Sequence, residues 1–505
     1  MRGYFSRLPL IVVLMGIGAL AMLVPAAVAT GMDDHFTGRV FLYSSILFLF
    51  LTGLIGFATQ TMRPASSPRV HLVGLLSSYI ALPLMLAFPL SEAVGNTLYI
   101  NAYLEMVSSL TTTGASFFDP DRLAPAVHLW RGLVGWMGGL LIWVTAVAVL
   151  APLNLGGYEV TSEAQVLGGV QAGSGQMQAA PPAERLRRHT LRLAPIYLML
   201  TVLLWLGLLI AQETPLAALI HAMSTMATSG ISPVGGMEGR APGVAGEALI
   251  FLFFIFAVSR WSFASASAVQ AAQRLTRDRE LRLAVFAVVV LPTLLFARHW
   301  LGALEVDELA NSKAALAALW GSVFTVLSFL TTTGFVSESW GMARAWSGLP
   351  TPGLILIGLV LMGGGVATTA GGVKLLRVYA LYKHGTREMG KLTHPNSVAG
   401  AGRLGRRIRR EGAYIAWIFF MLFVLTLAGV STVLALAGLD FEASMVLAIS
   451  ALTTTGPLAS VAAETPISYL GLSDLAKLIL AVAMIIGRME TLVLLALINP
   501  GYWRA

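Results

Sequence analysis

No cysteine occurs anywhere in the 505 residues, which excludes disulfides, thiol catalysis and cysteine-ligated zinc or iron–sulfur centres. Charge is also scarce: 11% of residues are Asp, Glu, Lys or Arg against 56% hydrophobic, and the mean hydropathy is +0.77. A chain this apolar is not a water-soluble domain. Polar stretches long enough for a soluble domain of ~100 residues are missing too, so no nucleotide-binding domain is expected. None of the eight histidines falls in an H-E-x-x-H pattern or an i, i+4 metal pair, and no D-K-T-G phosphorylation sequence is present. The chain reads as a membrane protein that is not an enzyme and binds no cofactor.

Long apolar runs fill the sequence instead. About ten reach or approach the ~20 residues that cross a bilayer, the first over 8–29, the last over 475–498. Basic residues gather in alternate connections, at Arg63 and Arg69, Arg185 to Arg192, Arg274 to Arg282 and Lys383 to Arg410. Carboxylates such as Asp33, Asp34, Glu92, Asp119, Asp121, Glu338, Asp440, Glu442 and Glu464 take the opposite ones. The positive-inside rule therefore puts both termini in the cytoplasm and accounts for the formal charge of +8 without nucleic acid. The carboxylates would concentrate cations at an outer mouth. Arg2, Arg7 and Ala27-Val28-Ala29 give the first run the look of a secretory signal, but it exceeds the roughly 7 to 15 apolar residues of a signal core and is expected to stay as a span.

One short word recurs four times: Thr111-Thr112-Thr113-Gly114, Ala227-Thr228-Ser229-Gly230, Thr331-Thr332-Thr333-Gly334 and Thr453-Thr454-Thr455-Gly456, with glycines 116, 104 and 122 residues apart. Each block holds an apolar span, a short weakly amphipathic segment (98–110 in the first, 441–452 in the fourth), the word, an outward loop and a second span. A dozen residues cannot cross a bilayer, so these segments should be half-helices; irregular backbone at that depth must be buried in protein or line water. A half-helix running inward aims its negative carboxyl end and its unpaired carbonyls at the membrane centre, where they suit a dehydrated cation. A threonine run in one membrane helix is ordinarily a packing feature; four in register point to a pore. The expected fold is an all-α membrane protein of about ten transmembrane helices: two extra helices over 1–69, then pore repeats over 70–187, 188–282, 283–410 and 411–505 around one axis.

Gly363-Gly364-Gly365-Val366-Ala367-Thr368-Thr369-Ala370-Gly371-Gly372 interrupts an apolar span. Five glycines, each costing ~1 kcal/mol in a helix relative to alanine, predict a break at mid-membrane. No strand precedes it, so a phosphate-cradling turn does not fit. Gly385 to Lys391 fails as a phosphate loop as well, since Leu392 stands where Ser or Thr is required. Arg488 lies deep in the last apolar run, where an arginine costs at least ~2.5 kcal/mol and must face the interior or water. It is either paired with Glu490 or another buried acid, or a barrier beside the pore. Lys374 either adds to that barrier or snorkels to the inner interface. Arg260, also within an apolar segment, is assigned no role, and His221 reads as packed. Few carboxylates other than Glu490 stand in the spans, which weighs against a proton-coupled carrier.

Further stretches complete the pattern: His128-Leu129-Trp130-Arg131 leading to Trp136-Met137-Gly138-Gly139, then Thr368 through Lys374, Arg387-Glu388 through His394-Pro395-Asn396, Gly487-Arg488-Met489-Glu490, and Pro500-Gly501-Tyr502-Trp503-Arg504. Together with the four words they resemble the Trk/Ktr/HKT superfamily of potassium transporters, most closely its bacterial TrkH-like membrane subunits. The resemblance implies potassium uptake across the inner membrane through a channel-like pore, with proton- or sodium-coupled symport as the alternative. It implies a filter of carbonyls from Thr112, Thr113, Gly114, Thr228, Ser229, Gly230, Thr332, Thr333, Gly334, Thr454, Thr455 and Gly456. It implies a gate of Gly363, Gly364, Gly365, Gly371, Gly372, Lys374 and Arg488, a homodimer in the lipid bilayer, and a separate TrkA-like cytoplasmic subunit that binds NAD(H) or adenine nucleotides. Basic connections over 180–192 and 383–410 are its candidate docking surfaces and equally plain positive-inside anchors. Relatives that prefer sodium commonly carry serine where Gly114 stands, so Gly114 implies potassium; Ala227 and Ser229 depart from the family's usual S-T-G-G.

Overall fold

The computed structural model describes residues 8–59, 68–153, 155–160, 182–236, 243–259, 278–303, 312–347, 353–393 and 410–498. Arg2, Arg7, Arg63, Arg260, Arg274, Arg277, His394-Pro395-Asn396 and 500–504 lie outside the described residues, as does much of the basic connections. Among the described residues every regular element is helical.

Two spans lead. α1 (Leu10–Gly31) packs against α2 (His35–Ala58), where the buried Ser45 hydroxyl donates to the Ala19 carbonyl at 2.7 Å. Asp34 caps α2 by accepting from the Thr37 amide at 3.1 Å, satisfying one of the orphan donors of a helix start. The first block follows as α3 (Pro68–Val94), the short α4 (Tyr99–Leu110) and α5 (Pro125–Thr145), which runs into a π-helical turn at Ala146–Leu150. The second comprises α6 (Pro182–Ile210), α7 (Pro215–Ala227) and α8 (Gly243–Val258). In the third, α9 (Arg279–Ala303), α10 (Ser312–Leu330) and the surface helix α11 (Trp340–Ser347) precede α12 (Gly353–Met362) and α13 (Leu375–Thr393). The fourth has α14 (Arg410–Leu436), α15 (Phe441–Leu452), α16 (Asp474–Met489) and α17 (Thr491–Ile498). Twelve residues, the length of α4 and α15, rise about 18 Å, well short of a ~30 Å hydrocarbon core.

Seven described helices are long and apolar enough to cross a membrane, against about ten apolar runs in the sequence. Of the other three, α8 is among the shorter apolar helices, the run over 352–382 breaks at the glycines, and the last run breaks at Glu490, whose φ of 63° and ψ of 135° end α16. The spans face lipid with what they do not bury. Only 17% of the most apolar window of α14 is buried within the protein, and Phe50, Phe57, Leu425 and Leu436 stand exposed. The short helix before the fourth word behaves oppositely: from Ala443 through Gly456 nearly every residue is buried.

Candidate functional site

Each word is the left-handed stop of a helix, of 12 or 13 residues before the first, second and fourth words and of 19 before the third. α4, α7, α10 and α15 run into Thr112, Thr228, Thr332 and Thr454, whose φ values are 54°, 51°, 58° and 54°. The next amide then reaches back five residues: Thr113 to the Ser108 carbonyl at 2.8 Å, Ser229 to Ser224 at 3.0 Å, Thr333 to Ser328 at 3.0 Å and Thr455 to Ser450 at 2.9 Å. This is the Schellman closure, normally made by glycine at the left-handed position. Four threonines accept that strain because their neighbours fix them.

The words close into a ring. A Cβ on Gly114 would stand 1.9 Å from the Ser229 carbonyl oxygen of the second word, and one on Gly230 would stand 2.2 Å from the Thr333 carbonyl oxygen of the third. Gly334 abuts Pro457, which follows the fourth word, and the Gly456 amide returns to the Thr113 carbonyl of the first at 2.6 Å. All twelve expected filter residues are thus brought together around one axis. The symmetry is not perfect, since Gly114, Gly230 and Gly334 have positive φ while Gly456 does not. Three of the expected ligand carbonyls already accept a hydrogen bond: Thr113 from Gly456, Thr455 from the Ser450 hydroxyl at 2.9 Å, and Gly456 from the Tyr469 hydroxyl at 3.0 Å. The Thr455 and Gly456 carbonyls accept further bonds from the Leu458 amide at 3.1 Å and the Ala459 amide at 3.2 Å, so of these three only the Thr113 carbonyl, with one of its two lone pairs used, is left with ready capacity.

The four serines were not singled out from the sequence. Ser108, Ser224, Ser328 and Ser450 each stand six residues before the word's glycine and are buried; extending the repeat from four residues to seven would have found them. They also resolve the odd second word. In the other three, the first and third hydroxyls face each other, as Thr111 and Thr113 do at 2.8 Å. With Ala227 that partner is lost, and the Ser229 hydroxyl bonds Ser224 at 3.0 Å instead. A Cβ on Gly139 would stand 2.9 Å from the Ala227 Cα, so the backbones approach closely there.

Buried charge braces the loops after the words. Glu105 accepts from Arg131 Nε at 2.5 Å and from the Phe117 amide at 2.6 Å, while Arg131 also donates to Ser116 at 2.9 Å. His128 contacts the Pro120 carbonyl at 2.9 Å and Trp130 donates to the Leu86 carbonyl at 3.1 Å, so the whole His128 to Arg131 stretch is a scaffold. Glu247 takes the Trp320 indole, the Ser337 hydroxyl and the Glu338 amide at 2.7, 2.8 and 2.7 Å. Two expectations are corrected here. His221 is not merely packed: it bridges Glu213 at 2.5 Å and Ser232 at 3.0 Å. Carboxylates are not rare in the interior either, for Glu105, Glu213, Glu247 and Glu280 are all buried; their partners come from distant segments, which sequence spacing does not reveal.

The glycine-rich segment leaves α12 at Gly363 and returns at Lys374, its ends pinned by the Val373 amide to the Leu361 carbonyl at 3.0 Å and the Leu375 amide to the Gly364 carbonyl at 2.9 Å. Between them it touches all four blocks. Val366 fills the space beside Gly157 of the first, and the Gly365 amide bonds the Ala257 carbonyl of the second at 3.0 Å. In the third, the Gly371 amide donates to the Thr332 hydroxyl at 2.7 Å, and the Val366 amide donates to Glu280, at the start of α9 where the second and third blocks meet, at 2.7 Å. A Cβ on Gly371 would lie 2.1 Å from the Thr453 carbonyl oxygen of the fourth, so the segment sits directly beneath the ring.

Arg488 comes from α16 and is buried, and its Nη1 donates to the Thr369 carbonyl at 2.7 Å. Glu490 is paired elsewhere, with Arg377 at 2.7 Å, and Arg377 lies over the Phe419 ring at 3.7 Å. A direct Arg488–Glu490 pair, one of the two sequence readings, is therefore not what positions Arg488. Lys374 donates to the Ala370 carbonyl and is buried; it does not snorkel. Arg488, Lys374, Ala367, Thr368 and Gly371 line one small cavity with the π-helical turn of the first block, about 20 Å³ in volume, room for a water molecule.

Residues 279–500 match the family model TrkH, described as a cation transport protein. The Trk system potassium uptake protein TrkH of Salmonella typhimurium is 30% identical over 436 residues, covering 85% of this chain and 84% of the relative. Its counterpart in Vibrio parahaemolyticus is 28% identical over 510 residues, covering 99% of each. The crystal structure of the potassium transporter TrkH from Vibrio parahaemolyticus superposes with a TM-score of 0.82 at 25% identity, covering all of both chains. With its all-helical fold, its ring of four words and similarity along its whole length, the chain belongs to the TrkH family of cation transport proteins.

Proposed function

We propose that the chain takes up potassium across the inner membrane through a channel-like pore. The observation that carries this reading is the closed ring, in which each word's glycine or its following proline abuts the next word and four helices point their carboxyl ends at one axis. Carbonyls of Thr112, Thr113, Gly114, Thr228, Ser229, Gly230, Thr332, Thr333, Gly334, Thr454, Thr455 and Gly456 replace the water of a dehydrated cation there. The names of the relatives, potassium uptake proteins, supply the cation.

Below the ring the segment from Gly363 to Lys374, including Gly364, Gly365, Gly371 and Gly372, obstructs the path, and Arg488 holds it by the Thr369 carbonyl. A buried positive charge at that point repels a cation until the segment moves. Opening is under the control of a separate TrkA-like subunit that binds NAD(H) or adenine nucleotides on the cytoplasmic face, and the membrane chain works as a homodimer with both termini inside. The units of this design are the leading pair of spans, 1–69, and the four repeats over 70–187, 188–282, 283–410 and 411–505.

A proton- or sodium-coupled symporter is the second reading, favoured by the interior carboxylates Glu105, Glu213, Glu247 and Glu280. Those carboxylates serve as hydrogen-bond anchors of loops, which suits a scaffold better than a proton relay. Rubidium-86 uptake into proteoliposomes of the purified chain, with potassium, sodium and lithium as competitors, tests the choice. Potassium-sensitive uptake without an imposed proton gradient supports the pore; uptake only with that gradient supports the carrier.

A further inference from the structure

The left-handed threonines of the four words differ in what their hydroxyls do. Thr112 Oγ1 and Thr454 Oγ1 are buried with no hydrogen-bond partner, and Thr228 Oγ1 donates to the Ala227 carbonyl. Thr332 Oγ1 alone of the four accepts from the glycine-rich segment, taking the Gly371 amide proton at 2.7 Å. Thr112 and Thr454 are each about 1% exposed or less. A buried hydroxyl without a partner is costly, and two at equivalent positions of one ring share a natural solution: a cation at the inner mouth of the ring, bound by hydroxyl oxygens. That site is incomplete while Gly371 holds Thr332. Gly371 also blocks it directly, since its backbone stands against Thr454, with a Cβ position only 2.4 Å from Thr454 Oγ1.

We infer that the Thr332 hydroxyl is a shared ligand, bonded to the Gly371 amide when the pore is closed and to the permeant monovalent cation when the segment withdraws. The inference rests on the pore reading above. Its consequence is linkage: a cation that binds better once the segment has moved shifts the equilibrium toward the open form. Rising potassium on the inner side therefore promotes opening, apart from any partner subunit. The segment and the ion compete for one oxygen, so no long-range pathway is needed.

The test compares isosteric changes. Thr332→Val keeps the β-branched shape and removes the hydroxyl; it should raise basal rubidium-86 flux about two- to tenfold, the equilibrium weight of one ordinary hydrogen bond, and raise the half-saturating cation concentration. Thr112→Val and Thr454→Val remove hydroxyls that hold no segment amide; they should raise the half-saturating concentration and lower flux. Thr332→Ser keeps the hydroxyl and so the bond from the Gly371 amide, and its basal flux should stay below that of Thr332→Val. A second readout does not depend on flux. The chain has no cysteine, so Thr368→Cys places a single thiol on the segment, and its modification by a soluble thiol reagent should quicken as potassium rises, with this dependence abolished by Thr332→Val. If all three valine variants change flux in the same direction, or thiol modification ignores potassium, the shared-ligand proposal is overturned while the pore stands. If the parent chain shows no potassium-sensitive flux, it is the pore reading that fails.

Discussion

Arg488 Nη1 and the Thr369 carbonyl are 2.7 Å apart, although 119 residues separate them. One charge-assisted bond thus ties the last block to the glycine-rich segment beneath the ring. Arg488→Ala removes both the bond and the charge, and a bond of this kind contributes ~1.5 to 3 kcal/mol. Rubidium-86 flux should rise about tenfold or more, with the order of competing ions unchanged. Arg488→Lys, which keeps the charge and loses the planar donor geometry, should fall between. Unaltered flux in the alanine variant would remove Arg488 from the gate.

Gly114→Ser should change the choice of ion, because a side chain at this position must displace the Ser229 carbonyl that stands 1.9 Å from its Cβ. Gly334→Ser meets Pro457 side-chain atoms no nearer than 3.1 Å, and pushes on no carbonyl. Competition of sodium against rubidium-86 should therefore strengthen clearly in the first variant and less in the second. The reverse order would contradict the ring geometry.

Ser450 and Ser328 occupy the same place in two words and are predicted to differ. The Ser450 hydroxyl contacts the Thr455 carbonyl at 2.9 Å and the Tyr469 hydroxyl at 2.7 Å, whereas the Ser328 hydroxyl has no partner. Ser450→Ala should destabilise the purified protein by ~1 to 3 kcal/mol, since it leaves buried polar groups unsatisfied. Ser328→Ala should be neutral or slightly stabilising. Thermal unfolding in detergent measures both, and equal melting temperatures would refute the assignment.

Breaking the Glu105–Arg131 pair should be among the most damaging single changes outside the ring. Both side chains are buried, and removing one partner strands the other charge, typically at ~3 to 5 kcal/mol. Arg131→Met should lower the melting temperature sharply, and adding Glu105→Leu should recover part of the loss. A double variant no better than the single would mean that the Phe117 amide, not the charge, is what Glu105 serves.

Much of this architecture is legible in the sequence because it is written in repeats. The four words, the short segments before them and the five glycines at 363–372 each violate a rule of ordinary membrane helices, and a violation repeated in register is informative. The bracing network is not legible in the same way. Glu247 meets Ser337 and Glu338 some ninety residues on, Arg377 meets Glu490 across 113, and a lone acid or base carries no mark of its partner. The Arg488–Glu490 pairing was suggested by nearness in sequence; the left-handed turn at Glu490 ends the helix between them and sends the carboxylate to Arg377. His221 shows the same limit, since neither Glu213 nor Ser232 is spaced for a known motif.

The central claim is that the ring conducts potassium passively. The most direct test is the reversal potential of the purified chain in proteoliposomes with a fixed potassium gradient, measured with and without an opposing proton gradient. The account predicts a reversal potential that follows the potassium gradient and does not move when the proton gradient is imposed. A reversal potential that shifts with the proton gradient would contradict it and make the chain a coupled carrier.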